Sequence, residues 1–114
     1  MIFMAFKARG KKLIIDEGDY GKGLPFTLSG DIEVNDKFIF RFSKSTKDPA
    51  ILELVIEVDE LNGNGGFSFD LIFDKEQSSK FRQGSYIYSL SQYRDGEFYD
   101  TLIGNEAFEV RGVA

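Results

Sequence analysis

Cysteine, histidine and tryptophan are all missing from this sequence of 114 residues, and proline occurs only twice. Without cysteine there is no disulfide framework, no thiolate zinc or iron–sulfur site and no cysteine nucleophile. Without histidine the commonest general base and metal ligand is gone, and with it every triad that uses imidazole. Long apolar runs are missing too. The opening Met1-Ile2-Phe3-Met4-Ala5-Phe6 is far too short for a membrane span or a signal-peptide core, and its positive charges follow it. Nothing marks export, and Met4 is a plausible alternative start to Met1.

Fourteen basic against nineteen acidic side chains leave a net charge of −5. An acidic chain repels phosphate backbones, so nucleic acid is not an expected partner, and neither is a membrane. Lys7, Arg9, Lys11 and Lys12 are a local exception, readable as a basic docking arm or as a solvated tail. The hydrophobic share of 42% is too high for disorder, and the length fits one domain over 1–114 with 1–10 as a flexible arm. A chain of this mass buries about two-thirds of its surface on folding, enough for one core without staples.

The dominant pattern is alternation with a period of two. Phe38, Phe40 and Phe42 point one way and Lys37, Ile39, Arg41 and Ser43 the other. Leu52, Leu54, Ile56 and Val58 alternate with Glu53, Val55, Glu57 and Asp59. Phe67, Phe69, Leu71 and Phe73 alternate with Ser68, Asp70 and Ile72, and Tyr86, Tyr88 and Leu90 with Ser85, Ile87, Ser89 and Ser91. Such rows are half-buried strands, because successive side chains leave a pleated sheet on opposite faces. Shorter strands are expected at 11–16, 24–29, 98–103 and 107–110, about eight in all.

Turn residues separate these rows. Asn62-Gly63-Asn64-Gly65-Gly66 predicts a tight reversal, making 51–73 a hairpin, and Asp95-Gly96 predicts a type I′ turn between 85–93 and 97–103. Gly104-Asn105 reads as a further turn. Only 74–81 looks helical, with Asp74 as N-cap and Gln77 three residues on. The pattern implies an all-β fold, an antiparallel β-sandwich with one short helical turn. Its expected core is Phe26, Leu28, Phe38, Phe40, Phe42, Leu54, Ile56, Phe67, Phe69, Leu71, Tyr86, Tyr88, Leu90, Phe108 and Val110. Twelve phenylalanines make it a core of rings.

Few residues suggest chemistry. Asp16, Glu17 and Asp19, or Asp59 and Glu60 beside Asn62, offer oxygen ligands for calcium or are simply polar turns. Glu53 and Glu57 share a strand face, as a glycosidase pair or as a solvated surface. Tyr93 and Tyr99 flank the Asp95-Gly96 turn, as a sugar-stacking platform or as a cross-strand aromatic pair. Ile39, Val55, Ile72 and Ile87 sit on the otherwise polar strand faces. Aligned in register they would form an apolar band for a protein partner; scattered, they are ordinary surface residues.

Gly84-Ser85-Tyr86-Ile87-Tyr88-Ser89-Leu90, then Asp95-Gly96, then 102–110 ending in Phe108-Glu109-Val110, follow one another in a familiar order. This resembles small phage and prophage structural domains related to the N-terminal domain of baseplate upper proteins. Leu13-Ile14-Ile15-Asp16-Glu17-Gly18-Asp19, Leu24-Pro25-Phe26-Thr27-Leu28 and Phe69-Asp70-Leu71 with 74–81 are similar to its earlier pieces. The resemblance spans roughly 13–110, with extra residues between Gly104 and Phe108 as a departure. It implies an Ig-like sandwich in a virion tail, baseplate or appendage, without catalysis or cofactor. Other virion structural proteins are the implied partners, in the virion or in the host bacterial cytoplasm during assembly. One small chain used many times in a particle also suggests a homo-oligomer. The alternative is a carbohydrate-binding module using Tyr93 and Tyr99.

Overall fold

The computed structural model describes residues 2–4 and 12–112. Its strands are β1 (Ile2–Met4), β2 (Leu13–Asp16), β3 (Gly23–Leu28), β4 (Lys37–Ser43), β5 (Ala50–Glu57), β6 (Phe67–Ile72), β7 (Gly84–Arg94) and β8 (Glu97–Arg111), with helix α1 (Lys75–Ser78) between β6 and β7. They form two sheets, one in the order β1-β3-β6 and one in the order β2-β8-β7-β4-β5. The all-β expectation holds. No helix among the described residues is long and apolar enough to cross a membrane.

Alternation does what pleating requires. Phe38, Phe40 and Phe42 of β4 are buried, and Phe26 and Leu28 of β3 and Phe67 and Leu71 of β6 are buried in the other sheet. The two rows meet ring on ring. Phe26 lies edge-on to Phe40 at 5.4 Å between centroids, Phe38 stacks on Phe67 at 5.9 Å, and Phe42 meets Phe73 at 5.4 Å. Offset and edge-to-face geometries are those that ring quadrupoles favour. At one end Phe42, Phe73, Phe81 and Phe108 are mutually within ring contact.

Helix α1 carries the capping box expected for it. The Asp74 carboxylate accepts from the Gln77 N–H at 2.7 Å, and the Gln77 side-chain oxygen accepts from the Asp74 N–H at 2.9 Å. The buried Ser78 hydroxyl donates to the Asp19 carbonyl at 2.6 Å, which ties this turn to the chain between β2 and β3. The Asp95-Gly96 turn also forms as expected, with φ of 54° and 79°, so that Arg94 pairs with Glu97.

Four expectations need correction. First, β5 and β6 are not a hairpin: β5 pairs with β4 and β6 with β3. Directly after β5, the Asn35 N–H donates to the Val58 carbonyl and the Val58 N–H to the Asp36 carbonyl, which holds the chain at the start of β4. The Asn-Gly run therefore begins clear of β5 and carries the chain from one sheet to the other. Gly66 is required where it arrives, since a Cβ there would sit 2.8 Å from the Leu28 carbonyl oxygen.

Second, Gly104-Asn105 is a bulge rather than a turn. Tyr88 pairs with Glu106 and Leu90 with Ile103, so two residues of β8 oppose Ser89 alone, with Asn105 at φ 47°. The expected strands 98–103 and 107–110 are one continuous strand. Third, the pairing is not wholly antiparallel, because β1 runs parallel to β3 and β2 parallel to β8. Within the segment expected to be an arm, Ile2–Met4 is thus a strand. Fourth, Leu54, Ile56, Phe69 and Tyr86 are only partly buried, while Leu13, Ile32, Val58, Phe73, Phe81, Leu102 and Ile103 join the core.

Candidate functional site

The densest polar constellation lies where the 29–36 loop meets the β7–β8 hairpin. Asp36, 1% exposed, accepts two hydrogen bonds from the Arg94 guanidinium, from Nε to Oδ1 and from Nη2 to Oδ2, both at 2.9 Å. Its Oδ2 also accepts from the Glu33 N–H and from Gln92 Nε2, each at 2.9 Å. Burial by itself pushes the Asp36 carboxyl up. The hydrogen bonds from Arg94, the Glu33 N–H and Gln92 outweigh it, and the group titrates below its ordinary value. Arg94 is held up in turn, chiefly by its bond to Asp36.

Gln92 is fully buried and donates its second amide proton to the Asp31 carbonyl at 2.8 Å. Its Oε1 has no hydrogen-bond partner among the described residues. The network thus holds the loop in place through both amide protons of Gln92 and through the Arg94 guanidinium, which also reaches the Asp31 carbonyl.

Tyr99 belongs to this network. Its hydroxyl donates to Asp31 Oδ2, which raises the phenol pKa and lowers that of Asp31. The Arg94 guanidinium lies over the Tyr99 ring, 4.0 Å from its centroid. Tyr93 is half-buried and meets Phe98 of β8 edge-on at 5.9 Å. The two tyrosines therefore do not make one platform. One ring is stacked by arginine, and the other is in a cross-strand aromatic pair.

The expected apolar band does not form as a single feature. Ile39 and Val55 are direct cross-strand partners on the outer face of β4 and β5. Ile87 pairs with Ser43, four residues or about 13 Å further along β4. Ile72 lies in the other sheet, opposite Gly23. Val55 is 57% exposed and Ile72 48%, while Ile39 and Ile87 are half-buried. Alternation placed each residue on an outer face; only the strand order shows that the four divide between two sheets.

Four of the acidic candidates lie beside cations. Glu53 and Glu57 are the cross-strand neighbours of Arg41 and Lys37. Asp16 Oδ1 pairs with Arg111 at 3.1 Å, and Asp19 Oδ2 with Lys22 at 3.1 Å. Among the described residues no group of acids is arranged to hold a metal ion. Of the basic N-terminal cluster, Lys12 pairs with Glu109 at 2.7 Å and holds that carboxyl below its usual value. Lys7, Arg9 and Lys11 lie outside the described residues.

A cavity of about 120 Å³ opens between β2 and the start of β3, over Ile15, Leu24 and Phe73. The Asp16–Arg111 and Asp19–Lys22 ion pairs and Tyr20 form its rim. Sequence reading missed this hollow and the Asp36–Arg94 network alike. Both join segments far apart in the chain, and a lone aspartate before a strand carries no signal of its own.

At the start of β7, Tyr86 turns its hydroxyl back on the chain. It donates to the Arg82 carbonyl at 2.8 Å and accepts from the Arg82 N–H at 3.1 Å. Lys44 Nζ lies 4.6 Å from the centre of its ring.

Compared with protein-family models, curated proteins and solved structures, the chain finds no match in any of the three.

Proposed function

We propose that this chain is a non-enzymatic Ig-like β-sandwich that serves as a structural or adaptor domain of a phage or prophage tail or baseplate, acting through protein–protein contacts. The strand order supports the Ig-like part. An Ig sandwich sets one group of strands against a sheet that contains the C, F and G strands, and variable-type domains extend that sheet beyond C. Taking β3, β4, β6, β7 and β8 as B, C, E, F and G reproduces that division here, with β5 as the extension. The Tyr86 hydroxyl, bonded back to Arg82 at the entry to β7, sits where a tyrosine corner belongs. Tyr86→Phe is expected to cost about 1 kcal/mol, read as a lowered denaturant midpoint with unchanged slope.

The contact role rests on one observation. Among the described residues, the exposed apolar side chains Val55 and Ile72 lie on β5 and β6, strands that end their sheets. The ordered motifs of 13–110 favour the phage setting, and with it a place in the virion or in the host cytoplasm during assembly. The test is particle composition. In particles purified from the strain that carries the gene, the chain should be found at fixed stoichiometry with tail or baseplate proteins. Its absence from intact particles, with the chain present in the same cells, would overturn the assignment.

A further inference from the structure

We infer that β5 is a docking edge for a second copy of this chain, paired antiparallel about Leu54 so that the five-stranded sheet continues across a dyad. The inference names the partner of the contact surface proposed above and rests on that reading. Among the described residues β5 pairs with β4 alone and ends the sheet order, leaving one line of backbone donors and acceptors unpaired. Natural edges are guarded by proline, by inward-pointing charge, by bulges or by shortness. Leu52–Glu57 pairs with β4 in unbroken register, holds no proline or lysine, and points Leu52, Leu54 and Ile56 inward. The register shift comes at Ile51, just before this run.

The inward row is also unfinished. Nine partly buried hydrophobic residues pack against the core, and four of them (Ile51, Leu52, Leu54 and Ile56) belong to β5. The other sheet has an open edge at β6, but in its inward row Phe67 and Leu71 are already buried and Phe69 alone is partly buried, against four such residues on β5. β2 is only four residues long. β5 is the edge with most to gain from a neighbour.

Charge selects the copy and the register. With Leu54 opposite Leu54, Leu52 faces Ile56 in the inner row and Glu53 faces Val55 in the outer row, twice by symmetry. Sliding by two residues puts Glu53 opposite Glu53 in one direction and Glu53 opposite Glu57 in the other. Like charges directly opposite are destabilising, so both slips are disfavoured. Each glutamate is already offset within its own chain, Glu53 by Arg41 and Glu57 by Lys37. A single strand pair buries little area, which places the dimer in the weak, concentration-dependent class.

The experiment is sedimentation of the full chain over a concentration series, for the wild type, Val55→Glu and Val55→Lys. Because Val55 is exposed, all three should melt within a few degrees of one another, so any change in association is not a loss of fold. The wild type should be a reversible dimer. Val55→Glu, facing Glu53, should raise the dissociation constant at least about tenfold, and Val55→Lys should leave it equal or lower. Amide exchange at 52–56 should slow as the wild-type concentration rises. A monomer throughout, or equal effects of the two substitutions, would overturn the inference. A monomeric chain that is still found in particles sinks the dimer and leaves the contact role standing; a dimer of this kind in a chain absent from particles does the reverse.

Discussion

Phe42→Ala is expected to remove about 4 kcal/mol of stability and to lower the melting temperature by about 15 °C or more. Phe42 is fully buried on β4, and its ring meets those of Phe40, Phe73, Phe81, Tyr88 and Phe108 at centroid distances of 5.0 to 6.2 Å. Truncation removes the transfer free energy of a phenyl group. It also leaves a void that cannot collapse, because the surrounding rings come from three strands of the five-stranded sheet, from Phe73 just past β6 and from the segment after α1. Against a total of about 5–15 kcal/mol for a domain, that is a large share. Thermal denaturation followed by near- and far-ultraviolet circular dichroism measures the effect. Phe98→Ala is the control: Phe98 is 59% exposed, and the same truncation there should cost less than about 1 kcal/mol. Equal losses at the two positions would mean that the interior is not packed through Phe42.

Asp36→Ala is expected to cost about 3 kcal/mol at neutral pH, since it leaves Arg94, Gln92 and the Glu33 N–H facing a site without its acceptor. The pH dependence carries a sign. The Asp36 carboxyl titrates lower in the folded chain than in the unfolded one, so the folded state favours its ionised form. That stabilisation is fully present above the unfolded pKa of about 3.9 and is lost as pH falls from there through the folded value. Asp31, lowered by its bonds from Tyr99 and Arg94, acts in the same direction. The wild type should therefore lose stability steeply below about pH 4, and Asp36→Ala should show a shallower fall over the same range. Denaturant midpoints between pH 2 and pH 7 test this; parallel curves for the two proteins would show that the Asp36 charge contributes nothing.

Both predictions depend on long-range contacts, and they differ in how much of them the sequence announces. Phe42 was readable. Three phenylalanines at alternate positions with Lys37, Arg41 and Ser43 between them leave a pleated strand only one face to bury. The Asp36–Arg94 pair was not readable, because its partners stand 58 residues apart and neither lies in a distinctive pattern. The turns divide in the same way. Asp95-Gly96 needs only its own left-handed backbone to join the strands on either side. The Asn-Gly run at 62–66 has equally strong turn chemistry yet joins two sheets, because the chain at Val58 is already bonded to Asn35 and Asp36. Gly104-Asn105 is absorbed into β8, since pairing with β7 resumes beyond it.

The sequence alone determined the all-β class, the inward phenylalanine rows, the capped turn at Asp74 and the reversal at Asp95-Gly96. These follow from local rules: side-chain alternation, capping and positive φ act within a few residues of their cause. Tertiary structure alone decided which strands are neighbours, that Ile72 parts from Ile39, Val55 and Ile87, that Arg94 covers Tyr99, and that β5 is left at the end of its sheet. Those outcomes depend on strand order, which is set by how both sheets share one interior. A period-two pattern fixes which way a side chain points, and it is the same whatever strand lies alongside.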